Sequence, residues 1–426
     1  MSNKRVNAMY ISYYGLTEPL LHSQGLPYIK GLSKAGVHFD ILSFEKPHLV
    51  TPDAVDAIQQ KLSLYNIGWR RFTYHKRPRF LATLFDVIQG FCFLLRYIPE
   101  KKIHIVHARS AIPAIMSYLP ARLWRRKFIF DVRGLMAEEY ADAGTLKRSS
   151  WLFKVLNRVE KTLIARADGI IVLTEKIAGA FRNGYIAAAK KPRITQIIPC
   201  CADLEKYTPQ TPDTFLRDTL GISGWPVFIY VGSLGSWYAL DEMLDFFLAA
   251  QRRWRDAQLL IITQSDRAMV KNRLSSKGVS EKKTVIMAVD HEAIQRYIAL
   301  AHVGLLFYKP AFSRCATSPT KLAEYLGCGL PVVVTEGVGD TSELVEREKI
   351  GTVLKDVTVS GYQRAVDEIE RLLSGNHRET VARCRSAAER YFDIQTGIML
   401  YRKVYGALTD LQEDTGEGAV RESAYV

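Results

Sequence analysis

A lysine near the start of a short helix is the residue whose position most clearly indicates chemistry. The segment 318–332 reads as a helix start, a short helix, a glycine stop and a buried strand. Ser318 suits the N-cap and Pro319 the first helical position. Lys321 then stands where acidic residues are preferred, because the amide end of a helix is positive. A bound phosphate would combine the dipole, the amides and the ammonium, so we predict an anion site. The alternative is a solvated lysine that costs little stability.

A carboxylate follows this lysine on nearly the same helix face, at Glu324. A carboxylate close to a bound phosphate is expected to accept hydrogen bonds from neutral hydroxyl groups. The two hydroxyls of a ribose are the usual example. Phosphate and ribose together predict a nucleotide, whereas the alternative is an exposed surface glutamate. A glycine turn at Gly232 and Ser233 follows a predicted strand, where doubly wound sheets bind ligands. It has neither a dinucleotide nor a Walker pattern, so by itself it is a weak indication.

The elements that must position these residues alternate along the chain. Short apolar runs are separated by helical stretches, as in buried parallel strands joined by crossover helices. Six runs lie in the first half, at 6–13, 38–44, 103–107, 128–132, 169–173 and 194–198. Six more lie in the second half, at 227–232, 259–263, 284–287, 303–307, 331–334 and 352–354. We predict two doubly wound, Rossmann-like α/β domains.

The domain limits follow from the proline-rich linker 199–224. We predict an N-terminal domain over 1–200 and a C-terminal domain over 201–394. A helix at 395–411 is expected to pack back on the first domain, and 412–426 to form a polar, flexible tail.

Composition narrows the class of protein. The chain has 426 residues and a formal net charge of +14, enough length for real cores without disulfides or metals. Six scattered cysteines predict neither a disulfide framework nor a zinc site. Charged side chains interrupt every long apolar run, which argues against a transmembrane helix. No signal-peptide pattern is recognised, so we expect a cytoplasmic protein.

The positive charge is confined to one half of the chain. Residues 1–200 hold 31 Lys and Arg against 14 Asp and Glu, whereas 201–426 hold 27 against 30. The segment 69–80 packs five basic and four aromatic residues and precedes the apolar stretch 81–97. This pattern suits docking on an anionic bilayer. The alternatives are a crossover helix with a solvated basic edge and, less favoured, nucleic acid.

Taken together, these motifs resemble the retaining glycosyltransferases of family 4. The pattern Ser-Pro-Thr-Lys-x-x-Glu-Tyr-Leu at 318–326 resembles their donor-nucleotide segment, and 230–234 their first donor-domain turn. The interdomain segment at 198–205 and the acceptor loop and helix at 23–32 are also similar, in the same order. The resemblance implies the GT-B fold, with two such domains facing a cleft.

The resemblance also implies roles for individual residues. The resemblance assigns donor binding to Gly232, Ser233, Ser318, Thr320, Lys321 and Glu324. It assigns the acceptor side to Ser23 and Gln24, and catalysis to His107, Arg109 and Lys321. Arg133 ends a predicted strand at the same sheet edge, where it either holds an acceptor phosphate or pairs with Glu138 or Glu139. Arg314 joins the catalytic residues as a substitute cation.

Four positions depart from the family pattern. The first of its paired glutamates falls on Ala316, and its two phosphate-binding cations fall on Ser233 and Tyr238. We therefore expect Arg314 and Lys321 to carry the diphosphate. The family's second histidine is Arg109, which leaves open whether His107 or Arg109 faces the reacting sugar.

The expected reaction is transfer of a sugar from a nucleoside diphosphate to a glycan or lipid-linked acceptor in surface polysaccharide or glycolipid synthesis. No Asp-x-Asp motif occurs in the sequence, which fits a metal-independent transferase without a cofactor. A polyprenyl-diphosphate-linked acceptor and the inner membrane face would explain the basic half. The alternatives are a sugar-nucleotide epimerase and a non-catalytic nucleotide- or polyanion-binding relative.

Overall fold

The computed structural model describes residues 6–186, 194–235 and 237–409 of the chain. They divide into two compact units. The first unit extends to Pro199 and resumes at Ile394, and the second spans Cys200–Asp393. The tail predicted at 412–426 lies outside the described residues.

Seven parallel strands form the sheet of the first unit. They are β1 (Val6–Ser12), β2 (Val37–Glu45), β3 (Gly68–Thr73), β4 (Ile105–Arg109), β5 (Lys127–Val132), β6 (Gly169–Val172) and β7 (Ile194–Ile197). Their order is β3-β2-β1-β4-β5-β6-β7. The chain thus builds outward from β1 in one direction and from β4 in the other. The inner strands are almost wholly buried, as continuous apolar runs predict.

Strand β3 is the one that the sequence analysis missed. Among the described residues it is an edge strand that pairs with β2 alone, and it is half exposed along its length. Its sequence, Gly-Trp-Arg-Arg-Phe-Thr, has no apolar run because only one side of it meets the core. Charged residues on such an edge also discourage pairing with another chain.

In the described part of this unit, eight helices connect these strands. They are α1 (Pro19–Gln24), α2 (Leu26–Lys34), α3 (Pro52–Ser63), α4 (Arg79–Glu100), α5 (Ala111–Leu123), α6 (Met136–Asp142), α7 (Trp151–Arg166) and α8 (Glu175–Ala180). Helix α4, from Phe80 onward, is long and apolar enough to cross a membrane by length and composition alone. Only 33% of its most apolar window is buried in the protein.

The second unit has six parallel strands, one for each predicted run. They are β8 (Val227–Val231), β9 (Gln258–Ile262), β10 (Thr284–Met287), β11 (Val303–Leu306), β12 (Val332–Thr335) and β13 (Gly351–Leu354), in the order β10-β9-β8-β11-β12-β13. The helices are α9 (Thr214–Thr219), α10 (Leu240–Arg253), α11 (Arg267–Lys277), α12 (Ile294–Ile298), α13 (Thr320–Gly327), α14 (Thr341–Glu348), α15 (Val359–Ser374) and α16 (His377–Tyr391).

The last described helix, α17 (Ile394–Leu408), belongs to the first unit and packs against α2. Gly31 of α2 permits this approach, because a Cβ at that position would come within 2.6 Å of Ile398. With two parallel sheets, each covered by helices, the predicted doubly wound α/β fold class is confirmed.

Candidate functional site

Each unit gathers polar side chains where its strand order changes direction. In the first unit this point lies at β1 and β4, and in the second at β8 and β11. Ligands of open α/β sheets bind outside the carboxyl ends of the strands at such points. The two groups of residues are described separately below.

The second-unit site is built on β8 and α13. Strand β8 ends at Val231, and Gly232 follows with φ of +132°, a conformation that favours glycine. Helix α13 is fixed to the same strand by the buried Tyr325, whose hydroxyl accepts a hydrogen bond from the Val231 N–H at 2.9 Å. A Cβ on Gly232 would lie 3.0 Å from Lys321 Nζ. The glycine turn and the lysine predicted to bind phosphate are therefore neighbours.

Three tyrosine rings surround the ammonium of Lys321. Its Nζ lies 4.1 Å from the ring centre of Tyr230, 4.6 Å from that of Tyr238 and 5.6 Å from that of Tyr308. These distances are within the range of cation–π attraction. We call this arrangement the tyrosine cage. The sequence analysis missed it, although Tyr230 and Tyr238 bracket the glycine turn that it singled out.

No acceptor pairs with this buried ammonium in the part of the chain that the structure describes. Lys321 is 8% exposed, and its Nζ has neither a hydrogen bond nor an ion pair there. Burial lowers the pKa of Lys321 to about 7, against the partly compensating charge of Glu324. A buried cation without a counter-ion is costly, and an anion placed beside it would relieve that cost. The cage therefore has the chemistry of an anion site.

A second buried cation lies in the same unit, on the turn Phe312–Ala316. The Arg314 guanidinium stacks over Trp237 at 4.2 Å from the ring centre and donates to Ser313 Oγ at 3.0 Å. Trp237 and Tyr238 follow one another in the chain, so adjacent residues contact the two cations. Arg314 and Lys321 are the pair that the sequence analysis expected to carry a diphosphate, and that role stays a prediction.

The start of α13 differs by one residue from the expectation. The N-cap is Pro319 rather than Ser318, and Lys321 is the second helical residue. Ser318 does not cap the helix because its Oγ accepts the Cys200 N–H at 3.1 Å. None of the described side chains caps this N-terminus, and its first turn holds no acidic residue, so the positive end of the dipole has no acidic partner there. Thr320, also predicted to bind the donor, is the first helical residue.

Glu324 is buried one turn further along α13. Its carboxylate lies 3.5 Å from Nε2 of His291. Burial and the charge of Glu324 both raise the pKa of the neighbouring Tyr207 hydroxyl. Ser233, by contrast, is exposed, and its backbone carbonyl accepts from the Tyr230 hydroxyl at 2.7 Å. Ser233 therefore helps to orient a cage ring through its main chain.

The first-unit site centres on a carboxylate, Asp131, at the end of β5. Tyr401 of α17 donates to its Oδ2 at 3.1 Å. The guanidinium groups of Arg109 and Arg133 each approach it to 3.5 Å, and Nε2 of His107 lies 3.8 Å away. Strand β4, the end of β5 and helix α17 thus bring four side chains to one buried carboxylate.

Burial and the neighbouring charges shift the pKa values of this group in opposite directions. Burial would raise the pKa of Asp131, but the charges of Arg133 and Arg109 and contact with His107 lower it below its usual range. Burial lowers the pKa of His107, with Asp131 opposing. We therefore take His107 as neutral near pH 7, with its Nδ1 2.9 Å from the Tyr405 hydroxyl. Two arginines against one carboxylate leave the group with a net positive charge.

Gln24 joins this group and Ser23 does not. Arg109 donates to the carbonyl oxygen of Gln24 at 3.0 Å and to its Oε1 at 3.1 Å, and Arg133 donates to the same Oε1 at 3.4 Å. The Ser23 hydroxyl instead donates to carbonyls of its own helix. Ser110, which follows Arg109, has φ of +71°. Strain of this kind in a non-glycine residue is concentrated at functional sites.

The sequence analysis did not include Asp131, Tyr401 or Tyr405 among the site residues. Asp131 lies two residues before Arg133 in the sequence, but its partner Tyr401 on α17 is 270 residues away in the chain. No local pattern reports such a contact. Among the described residues, no three His, Cys, Asp or Glu side chains are grouped so that they could hold a metal ion.

Comparisons with known proteins agree with this architecture. Residues 26–197 match the family described as Glycosyl transferase 4-like domain, and residues 213–391 match Glycosyl transferases group 1. Each match falls within one of the two compact units. No curated protein sequence matches the chain.

Solved structures with the same fold cover nearly the whole chain. Sucrose-phosphate synthase (tll1590) from Thermosynechococcus elongatus has a TM-score of 0.68 at 17% identity, covering 95% of this chain and 100% of that one. A glycosyltransferase from Rickettsia africae ESF-5 has a TM-score of 0.69 at 15% identity, covering 95% and 99%. Alr3699/HepE from Anabaena, in complex with UDP and glucose, has a TM-score of 0.67 at 15% identity, covering 94% and 100%.

At these identities the likeness shows the fold, and the two family matches show the class of enzyme. The predicted GT-B fold is confirmed. The chain belongs to the group 1 glycosyltransferases.

Proposed function

We propose that the protein transfers a hexosyl group, with retention of configuration, from a nucleoside diphosphate to a glycan or lipid-linked acceptor. The observation that carries this proposal is the buried, unpaired ammonium of Lys321 in its tyrosine cage, at the strand ends where α/β sheets bind ligands. A diphosphate supplies the missing negative charge. The pathway that we propose is surface polysaccharide or glycolipid synthesis, at the inner face of the membrane.

In this proposal the second unit stabilises the leaving group. The bond between the anomeric carbon and the diphosphate oxygen breaks, and its electron pair stays with the diphosphate. Lys321, Arg314 and the uncapped N-terminus of α13 offset the developing charge without a metal ion. The acceptor hydroxyl attacks from the same face of the sugar, and its proton passes to the departing phosphate oxygen. Positive groups stabilise a developing negative charge more strongly where water is excluded. Both Lys321 and Arg314 are buried.

The remaining donor residues fit the other parts of a nucleotide. Gly232 has no side chain, so a phosphate can approach the turn beside the lysine. The buried carboxylate of Glu324 is suited to accept hydrogen bonds from ribose hydroxyls. HepE was solved with UDP and glucose, which makes UDP the first nucleotide to test.

We further propose that the first unit takes the acceptor. The two positive charges of Arg109 and Arg133 outweigh the single negative charge of Asp131. Arginine recognises phosphate through paired hydrogen bonds. An acceptor that bears a diphosphate, such as a polyprenyl-diphosphate-linked glycan, has the complementary charge. An epimerase would need no such acceptor site, and a non-catalytic relative would bind nucleotide without turnover.

The test begins with nucleotide binding and ends with product. Thermal shift with UDP, GDP, ADP and CMP, with and without EDTA, identifies the base and any need for a metal. We expect one nucleoside diphosphate to stabilise the protein equally with EDTA, and Lys321→Ala to abolish that effect. Lys309→Ala is the control, because Lys309 is an exposed lysine of the same unit.

Transfer itself is measured with the matching sugar nucleotide and a lipid-linked acceptor, and the anomeric configuration of the product is read by NMR. An inverted product contradicts retention. Nucleotide binding that survives Lys321→Ala contradicts the assigned site. Conversion of the sugar nucleotide without acceptor supports the epimerase alternative.

A further inference from the structure

One face of helix α4 packs against the rest of the first unit. Along that face Asp86, Leu94 and Ile98 have no exposed surface. Gly90 lies so close to α5 that a Cβ there would come within 2.6 Å of Met116 Sδ. The helix therefore lies along the first unit with its inner side packed, so it cannot cross a bilayer while this unit is folded.

The opposite face of its first turns is apolar and uncovered by the described residues. Five large apolar side chains there are each between 50% and 63% exposed: Phe80, Leu81, Leu84, Phe85 and Ile88. Their spacing of one, three and four residues places them on a single helix face. Monomeric soluble proteins rarely expose contiguous apolar patches of this kind without a function. We call this set the α4 apolar face.

The side chains around this face are basic. Four exposed cations precede it in the chain, namely Arg70, Arg71, Lys76 and Arg77, and Arg96 is exposed on the helix itself. Between residues 57 and 99 the only acidic residue is Asp86, which is fully buried. The exposed surface of this stretch thus combines apolar side chains with positive charge and has no negative charge of its own.

Asp86 also fixes where the face lies. Its Oδ2 accepts the Tyr13 hydroxyl at 2.7 Å and the His75 N–H at 3.2 Å. Tyr13 directly follows β1 and His75 closely follows β3, so the first turns of α4 are held at the carboxyl edge of the sheet. The same edge carries His107, Arg109 and Asp131.

We propose that the α4 apolar face inserts into the surface of an anionic bilayer, with the flanking arginines and lysines on lipid headgroups. An interfacial helix has an apolar face and a basic surround and lies in the membrane plane. The first two conditions are met here, and the packed inner face of α4 would leave the helix lying in that plane when its outer face enters the bilayer. The positive charge around the α4 apolar face favours an anionic bilayer over a second copy of this chain, because pairing two copies would bring like charges together. The proposal does not depend on sugar transfer, since lipid binding is measured without donor or acceptor.

The experiment uses the full-length protein and vesicles of phosphatidylcholine with or without 30 mol% phosphatidylglycerol, separated by flotation. We expect binding to the anionic vesicles that weakens as salt rises. The triple variant Leu81→Ser, Leu84→Ser, Ile88→Ser should reduce the partition coefficient at least about tenfold. The control is Phe215→Ser with Val359→Ser, two strongly exposed apolar residues of the second unit.

A charge variant tests the second half of the proposal. Arg71→Gln, Lys76→Gln and Arg77→Gln together should reduce partition about a hundredfold, at roughly fivefold per charge. Three exposed cations of the second unit serve as the matched control: Arg255→Gln, Lys282→Gln and Arg378→Gln.

Far-UV circular dichroism confirms that each variant is folded. Equal flotation of the serine variant and wild type overturns the proposal, as does wild-type protein that does not float with anionic vesicles. A concentration-dependent dimer that the serine variant abolishes, without vesicle binding, assigns the face to a second copy and also overturns it.

Discussion

Replacing Lys321 by methionine tests the central feature of the second unit, a lysine buried without a counter-ion. Its pKa is about 7 in the folded protein against 10.5 for an ordinary lysine, because burial disfavours the charged form. The unfolded chain therefore holds this proton up to about pH 10.5, whereas the folded chain releases it near pH 7. Stability must rise with pH between those two values.

The size of the effect follows from the same pKa values. A difference of one in pKa corresponds to about 1.4 kcal/mol. The lysine then costs the folded state about 5 kcal/mol at pH 6 and about 2 kcal/mol at pH 9. Methionine has a similar length and does not titrate. The free energy of unfolding of Lys321→Met, relative to wild type, should therefore fall by about 3 kcal/mol between pH 6 and pH 9.

The assay is denaturant unfolding of both proteins at pH 6 and pH 9, followed by a signal from the second unit. Lys309→Met is the control, since Lys309 is exposed, and its difference from wild type should be the same at both pH values. If Lys321→Met also differs from wild type by a constant amount, the lysine is not buried as an unpaired cation and the argument for an anion site fails.

The pH dependence of nucleotide binding provides a second test of the buried lysine. A bound diphosphate favours the charged lysine, so binding takes up a proton above about pH 7. The affinity of wild type for its nucleoside diphosphate should fall by up to about tenfold for each pH unit from 7 to 9. In Lys321→Met, as in Lys321→Ala, nucleotide binding should be lost over the whole of that range. Isothermal titration calorimetry measures both, and a wild-type affinity independent of pH contradicts the coupling.

Three further predictions concern the surrounding residues. Gly232→Ala should lower nucleotide affinity at least about tenfold, because its Cβ meets the lysine at a strained φ; Gly235→Ala, with open space around it, is the control, and equal affinities contradict the prediction. Tyr325→Phe should cost about 1–3 kcal/mol in urea unfolding, because the buried Val231 N–H loses its acceptor; a cost below about 0.5 kcal/mol would show that this bond is dispensable. Asp131→Asn should cost about 3 kcal/mol at pH 7 by leaving buried arginine charge unbalanced. The folded pKa of Asp131 is lowered, so that cost should be constant above pH 5 and shrink as the pH falls below 4; an unfolding free energy difference that persists unchanged to pH 3 contradicts it.

Much of the fold could be predicted because buried parallel strands leave a local signal. Each of the six apolar runs predicted in the second half corresponds to one of strands β8–β13. The glycine turn and the lysine helix were likewise visible as short patterns at 230–238 and 318–332. Strand β3 was not visible, because an exposed edge strand needs no apolar run.

The sites were only partly predictable. Lys321 and Glu324 were found because a cation at a helix start and a nearby carboxylate are unusual in sequence. Arg314 was added only as a substitute for cations that the family resemblance leads one to expect. The roles given to them and to the first-unit residues stay predictions. Ser23 was expected on the acceptor side, and the structure turns its hydroxyl back on its own helix. That choice depends on a hydrogen bond within the turn, which residue type alone does not reveal.

The sequence by itself determined two α/β domains, a basic first half and the position of a lysine at a helix start, since each depends on neighbouring residues. Only the tertiary structure decided what surrounds that lysine. Tyr230, Tyr238 and Tyr308 come from three segments that meet because β8 and β11 are adjacent in the sheet. Asp131 similarly meets Tyr401 only because α17 returns to the first unit. The pKa of a side chain depends on such long-range neighbours and on burial, and both arise only when the chain folds.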